Sequence, residues 1–319
     1  MPTIKEALKE LYIDAKNIIP MDSHEMSQHM LYQFIMKDEP YVIKIFNEND
    51  RMNKERMAYN VTARMRIPSA SVYAFGTLAG GNDYLILTKV VGEAADTYQF
   101  QSREEALEFY EEAGKFLARF HDGIHLTKIA QEMEMAWGKC PSVIKDAQGE
   151  FLTNDKYKAR FTQSVKQDME QLCGLLIEKE TKEAKEIIKA AYETFLKKSE
   201  SLSFEDIHFG FCHNKYNEHN LIALKGKLTG VIDFELAGFG NTERDICSIY
   251  RRTLKADEAL EQAFFRGYEQ QKNIFPGFKQ RLELYLIAEC FCNCTRAYQQ
   301  SPDFFEKNIA LLKNITVLS

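Results

Sequence analysis

The chain has little of what marks several large classes of protein. Its seven cysteines include no CxxC pair, so neither a disulfide framework nor a zinc site is indicated. No stretch reaches the roughly 18 to 20 apolar residues that span a bilayer, and the opening run Met1-Pro2-Thr3-Ile4-Lys5-Glu6 lacks the apolar core of a secretory signal. There is no internal repeat and no low-complexity linker, which sets aside repeat arrays and tethered modules. Positive charge is not in excess. With 41 Lys+Arg against 47 Asp+Glu the net charge is -6, which argues against broad binding to nucleic acid or to an anionic membrane and leaves room only for a local basic cleft. These absences point to a cytoplasmic protein with neither nucleic acid nor membrane as partner. The 319 residues, 45% of them hydrophobic, can bury a large core and suit either two domains or one two-lobed enzyme.

A short helix over 4–12 comes first, and the stretch 17–46 reads as strands. The clearest strand is Tyr41-Val42-Ile43-Lys44-Ile45-Phe46, β-branched and aromatic, with a lysine inside the apolar run. A helical pattern over 50–64 ends at Ile67-Pro68, and short strands follow near 71–75 and 84–89. Val90-Val91-Gly92-Glu93 reads as a connector and the lobe boundary. Beyond it the pattern is mostly helical, at 103–121, 156–178, 182–198 and 243–253. Within that half, Asn220-Leu221-Ile222-Ala223-Leu224, the turn Lys225-Gly226-Lys227, and 228–232 read as one hairpin. Strands first and helices second is an α+β order. The expected fold class is α+β and two-lobed, with a β-rich lobe over 1–91 and a helical lobe over 92–319. The helical lobe carries the hairpin region 211–235 and a helical insert at 123–204.

Several residues carry candidate chemistry. A lysine inside an apolar strand costs free energy unless its ammonium is paired, and Glu55 in the following helix is the candidate partner of Lys44. Asp233 ends the apolar strand Leu228-Thr229-Gly230-Val231-Ile232 and is followed by Phe234-Glu235. A carboxylate at a buried strand end is a good hard ligand for Mg²⁺, and Asn220 offers a second, neutral oxygen across the hairpin. His213 and Asn220 stand at the two ends of the H-x-D-x-x-x-x-N spacing of kinase catalytic loops, with Lys215 where the Asp belongs. Other features read as structural. Cys290, Cys292 and Cys294 alternate along a helix and do not share a face. His24 and His29 read as solvated in a polar loop. Trp137, Tyr157 and Phe161 suit a core better than an acceptor pocket.

The run Phe211-Cys212-His213-Asn214 with Asn220, followed by Ile232-Asp233-Phe234-Glu235, resembles the aminoglycoside phosphotransferase and choline kinase superfamily. Ala237-Gly238 to Asp245, Leu117-Ala118-Arg119-Phe120-His121 and Arg66-Ile67-Pro68 resemble further segments of it, so the likeness runs from about residue 41 to 253. The resemblance implies a protein-kinase-like fold and transfer of the γ-phosphate of ATP or GTP, with Mg²⁺, to the hydroxyl of a small acceptor. It gives Lys44 the phosphate contact and Glu55 its orientation, and it gives Asn220 and Asp233 the metal. His213 becomes a member of the catalytic loop. Asp245 braces that loop from a second layer, with Glu235 beside it. Thr88, Lys89 and Val90 would face the adenine, and Ser27 would lie in the phosphate-covering segment, which has no glycine.

Lys215 is the departure from that pattern. The usual Asp accepts a proton from the acceptor hydroxyl, whereas a lysine ammonium can only donate. A general base is worth about 10² to 10⁴-fold, while phosphoryl transfer depends mainly on positioning and charge. Three roles are open to Lys215. It pairs with Asp233, Glu218 or Asp245 in the place of the metal, giving a nucleotide-binding pseudokinase that regulates or scaffolds. Or it stabilises charge on the γ-phosphate while Glu218 or Glu235 orients the acceptor. Or it serves as a neutral base, its pKa lowered by the metal. Nucleotidyl transfer from the same nucleotide site is a further alternative. The leading expectation is a small-molecule phosphotransferase.

Overall fold

The computed structural model describes residues 4–21, 29–47, 51–122, 154–176, 182–274 and 276–317. The chain divides into two compact units, one made of Met1–Val143 with Phe209–Asn273, the other of Ile144–His208 with Ile274–Ser319. The order is α+β: antiparallel strands near the N-terminus, helices after them, and one hairpin within the helical part.

In the first unit, helix α1 (Ile4–Glu10) precedes strands β1 (Lys16–Pro20), β2 (His29–Met36) and β3 (Glu39–Phe46). Helix α2 (Arg51–Met65) then leads into β4 (Val72–Thr77) and β5 (Asp83–Thr88). The five strands form one antiparallel sheet in the order β1-β2-β3-β5-β4. Lys37 and Asp38 join β2 to β3 with φ of 53° and 63°, the paired positive values whose twist suits a tight hairpin. Successive residues of a strand face opposite ways. Ile43 and Ile45 therefore join Phe34, Ile86, Ala7 and Leu8 in a buried cluster, while Lys44, opposite Leu31 and Leu85, emerges on the other face. In α2, Met52, Glu55, Tyr59 and Thr62 recur at spacings of three and four and are buried. That stripe carries Glu55 inward.

The connector leads to β6 (Glu93–Ala94), which pairs with β8 (Leu221–Leu224), itself paired with β9 (Lys227–Val231). Two glycines permit close packing here. A Cβ on Gly92, at φ +135°, would lie 2.4 Å from the Ala223 carbonyl oxygen, and one on Gly230 would lie 2.5 Å from Val90 Cγ1. The connector thus rests directly on the hairpin that carries Asn220 and Asp233. Helix α3 (Arg103–Asp122) supplies Phe120 and His121, and β7 (Phe209–Cys212) pairs with β10 (Gly238–Asn241) beside the helix Thr242–Arg252.

The second unit contains the helices Asn154–Leu175, Lys182–Ser201, Phe278–Ala297 and Pro302–Val317. Tyr157, Phe161, Phe195, Phe204 and Tyr285 fill its core, with the Tyr157 and Phe161 rings stacked at 5.9 Å and Phe161 5.5 Å from Tyr285. Tyr157 and Phe161 are therefore core, each burying an apolar body worth roughly 1.5–3 kcal/mol. Trp137 lies outside the described residues. Cys290 and Cys294, one turn apart, do share a buried face, against the expectation that none of the three would, and only Cys292 turns away and is half-buried. None of the three belongs to the metal-compatible groupings among the described residues.

Candidate active site

The loop after β7 is held from below. Asp245 accepts from the backbone N–H of His213 at 2.7 Å and of Asn214 at 2.6 Å. On its other side lies His121 Nε2, at 3.1 Å from Oδ2, while the Tyr268 hydroxyl stands 2.7 Å from His121 Nδ1. His213 donates from Nε2 to the Ile232 carbonyl at 2.9 Å and packs among Phe120, Tyr216 and Phe234. Burial lowers its pKa, so the ring is neutral and fixes the residue before Asp233. It positions the site and does not reach out of it. Asn214 and Asp233 have φ of 61° and 62°. Left-handed backbone at such residues costs about 1–3 kcal/mol and tends to gather at working sites. At Asn214 the side chain offsets part of the cost by donating to the Leu236 carbonyl at 2.8 Å.

Above this base lies a closed network of ions. Lys44 Nζ is 2.9 Å from Glu55 Oε2, 3.0 Å from Asp233 Oδ1 and 3.0 Å from Glu235 Oε2. Lys215 Nζ is 2.6 Å from Asp233 Oδ2 and 3.3 Å from Glu235 Oε1. His29 Nε2 adds a contact of 2.8 Å to Glu235 Oε2, and Tyr59 donates to Glu55 Oε1 at 3.4 Å. The pairing of Lys44 with Glu55 is the one an apolar strand lysine demands.

Three of the sequence expectations need correction. His29 is buried and touches Glu235. It lies opposite Phe46 as Leu31 lies opposite Lys44, so extending the strand alternation two residues back puts it on the Lys44 face. Glu235 contacts both lysines directly, closer in than a second layer. Glu218 is buried and accepts from Arg252 Nε at 3.0 Å and from the Thr253 hydroxyl, an engagement that ties down the 3₁₀ turn Glu218–Asn220 and takes its carboxylate out of acceptor chemistry.

Burial opposes charge throughout the network, and the opposite charges mostly win. Lys44 is raised well above its usual pKa because Glu55, Asp233 and Glu235 outweigh its desolvation. Lys215 is raised by Asp233 and Glu235 against its own burial. Asp233, despite burial, is held at about 2 by Lys44 and Lys215. Glu235 is held far below the carboxylate range by His29, Lys44 and Lys215. Only Glu55 goes the other way, its desolvation outweighing Lys44.

Carboxylates depressed in the folded state stabilise it above their unfolded values, near 3.9 and 4.3, and that stability is lost as pH falls. The lysines, raised in the folded state, contribute fully below about 10.4 and lose this only as pH rises through their higher folded values. Urea unfolding is thus expected to show stability falling steeply from about pH 4.5 towards 2. Asp233 alone accounts for about 2 kcal/mol of the change, and Asp233→Asn should flatten that limb. An acid limb unchanged in Asp233→Asn would contradict the assignment.

The oxygen donors fit a hard divalent cation. Carboxylate oxygens of Glu55, Asp233 and Glu235 lie within 4.8 Å of one another, a set that suits Mg²⁺. Asn220 donates from Nδ2 to the Lys215 carbonyl at 2.9 Å, which leaves Oδ1 as the atom to meet a cation. His121, Cys212 and Asp245 also come together. However, both Asp245 oxygens serve the loop by accepting from the His213 and Asn214 N–H groups, so this group reads as structural. At the connector, Thr88 and Lys89 donate their N–H groups to the Ser71 carbonyl at 2.9 Å and the Pro40 carbonyl at 3.0 Å. Ser27 and His24 lie outside the described residues.

A strand lysine paired to a helix glutamate, facing a loop and hairpin that end in a carboxylate, defines a protein-kinase-like fold. The chain belongs to the phosphotransferase enzyme family, whose model matches residues 31–283. No curated protein sequence matches it. Among solved structures, an apo thermostable mutant of aminoglycoside phosphotransferase APH(4)-Ia is similar with a TM-score of 0.71 at 14% identity, over 99% of both chains. Spectinomycin phosphotransferase APH(9)-Ia, in complex with ADP and its drug, gives 0.68 at 14% over 100% of both. APH(2")-IIa in its gentamicin complex gives 0.63 at 16%, over 98% of this chain and 97% of that one. At these identities the likeness is one of fold.

Proposed function

We propose that this chain transfers the terminal phosphoryl group of ATP or GTP to a small molecule. One observation carries the reading: Lys44 Nζ bonds at once to Glu55 at 2.9 Å and to Asp233 at 3.0 Å, drawing the central strand, α2 and the end of the hairpin to one point. In this reading 1–91 holds the nucleotide, with Lys44 on its phosphates, Glu55 orienting Lys44, and Val90 near the base. The 92–319 part brings the hairpin region 211–235. Asp233 and Asn220 would hold Mg²⁺, with Glu235 as a third oxygen donor, and the bound ion would offset phosphate charge. The similar APH(4)-Ia has been captured with AMP-PNP and hygromycin B, which supports a nucleoside triphosphate as the donor. No helix among the described residues is long and apolar enough to cross a membrane. The need for a nucleoside triphosphate, with the cysteines among the described residues present as thiols, supports a cytoplasmic setting.

Mg²⁺ with ATP or GTP is expected to raise the melting temperature. The gain should approach about 2.7 kcal/mol at a hundred times Kd, and the larger of the two shifts identifies the donor. Asp233→Asn should remove it. No shift with either nucleotide would overturn the reading. A second reading is a nucleotide-binding pseudokinase that regulates or scaffolds. It is favoured by Lys215 lying 2.6 Å from Asp233, on an oxygen the metal needs, and it expects the shift without any phosphoryl transfer.

A further inference from the structure

The two lysines of the network are not equivalent. An ammonium has three N–H donors. Those of Lys44, whose side chain is 7% exposed, meet Glu55, Asp233 and Glu235. Lys215 Nζ meets only Asp233 and Glu235, and its side chain is 39% exposed. It has one N–H to give, on the open side of the network, at the loop position that faces the acceptor in a kinase.

Nor is a side chain with an unengaged acceptor found for a neutral substrate among the described residues of this network. Asp233 and Glu235 each direct both carboxylate oxygens to the two lysines. Glu218 is engaged by Arg252 and Thr253, and His213 is buried with its Nε2 on the Ile232 carbonyl. Among the described residues an alcohol would therefore meet no unengaged group to take its proton.

We propose that Lys215 sets the acceptor class: its outward N–H holds an oxyanion, a carboxylate or a phosphate, and this anion replaces the neutral hydroxyl as nucleophile. The proposal rests on the phosphotransferase reading. A lone pair of the anion's oxygen forms a bond to the γ-phosphorus. The bond from that phosphorus to the β–γ bridging oxygen breaks, and its electron pair leaves with the nucleoside diphosphate. No proton has to leave the nucleophile, so the missing base costs nothing. The product is an acyl phosphate or a phosphoanhydride. Replacing a carboxylate by an ammonium also makes the local field two charges less negative. Unit charges at ~4 Å attract by about 1 kcal/mol in water and about 4 kcal/mol at an effective dielectric near 20, which favours an anion at the Lys215 N–H over a cation there.

The test has a binding arm and a turnover arm. Inorganic phosphate and acetate are titrated calorimetrically into protein saturated with Mg²⁺ and AMP-PNP, for wild type, Lys215→Met and Lys215→Arg. Wild type and Lys215→Arg should bind both anions, and Lys215→Met should bind at least about tenfold more weakly. Turnover is followed by nucleoside diphosphate release with short mono- and dicarboxylates, inorganic phosphate and sugar phosphates, against hygromycin B and choline as hydroxyl acceptors. Hydroxylamine trapping identifies acyl phosphate, and phosphorus resonance identifies phosphoanhydride, so the two anion sources are told apart. Anions should be used in preference, with kcat/KM about 10²-fold lower in Lys215→Met, the usual loss for one oxyanion donor. The proposal is overturned if a hydroxyl acceptor is used as well as any anion, or if wild type and Lys215→Met bind anions alike. It is also overturned if no anion is used while the nucleotide still stabilises the protein. In that last case the nucleotide site stands and the scaffold reading gains, whereas loss of the nucleotide shift itself would strike the phosphotransferase reading.

Discussion

Lys44→Met is expected to lower stability by about 3–5 kcal/mol, the usual cost of leaving one side of a buried ion pair without its partner, and to abolish the nucleotide shift. The mechanism is the company Lys44 keeps. Its removal leaves Glu55 in a site where burial already raises its pKa, and leaves Asp233 and Glu235 sharing only Lys215 and His29. Methionine fills the volume of the stem, so the loss is electrostatic rather than a cavity. The double variant Lys44→Met/Glu55→Gln should recover part of it, since the uncompensated buried carboxylate is gone. A coupling energy of at least about 1 kcal/mol is expected from the cycle. Urea midpoints of wild type, both singles and the double measure it. A Lys44→Met protein within about 1 kcal/mol of wild type would mean that the network is solvated and the lysine dispensable.

Two lysines and three carboxylates leave this network one negative charge in excess when His29 is neutral. The arrangement has room in charge for one more cation, and were a divalent ion held at Asp233, at least one lysine contact would have to loosen. Lys215 is the one that can yield. It is more exposed than Lys44, holds two acceptors instead of three, and sits on a loop whose backbone is fixed independently by Asp245. Exposed pairs are held less firmly than buried ones, so the order of release is set by burial.

How much of this the sequence displays depends on how local each constraint is. Lys44 is legible because an ammonium in the run Tyr41 to Phe46 has to find a carboxylate, and the inward stripe of α2 offers Glu55 eleven residues on. The hairpin is legible because alternation and a Lys225-Gly226 turn, with φ of 49° and 67°, agree with each other. Asp245 is legible through the family likeness alone, since nothing local says that its carboxylate caps two N–H groups thirty residues back. The attachment of Glu218 to Arg252 is not legible, because it depends on how a 3₁₀ turn meets the end of a helix 34 residues later. His29 is hidden by its neighbourhood: it follows a polar run, and only the β2–β3 register shows which face it takes. Tyr157 and Phe161 illustrate a different limit. A core and an aromatic pocket use the same residues at the same helical spacing, and only packing separates them.

Asp245→Ala is expected to rival Lys44→Met. The carboxylate is fully buried, and its loss leaves the His213 and Asn214 N–H groups without the acceptor they use and removes the Asp245 contact of His121 Nε2. Each buried orphan costs about 1–3 kcal/mol, so the total should reach about 4 kcal/mol after relaxation. Asp245→Asn keeps one acceptor oxygen and the volume, but points an amide NH₂ at a backbone donor, and about 2 kcal/mol is expected. The consequence for the site is more specific than lost stability. Asn214 is held in left-handed backbone by its N–H on Asp245 at 2.6 Å and its side chain on Leu236 at 2.8 Å, and Lys215 is the next residue. With one anchor gone, the ammonium should leave Asp233 and Glu235 for part of the time. In Asp245→Asn the His213 and Asn214 amides should exchange hydrogen much faster than in wild type, while amides of β3 and β5 stay protected. If Asp245→Asn leaves those two amides protected, the loop is held by the His213–Ile232 and Asn214–Leu236 bonds alone. The placement of Lys215 would then depend on its own ion pairs and not on the base beneath it.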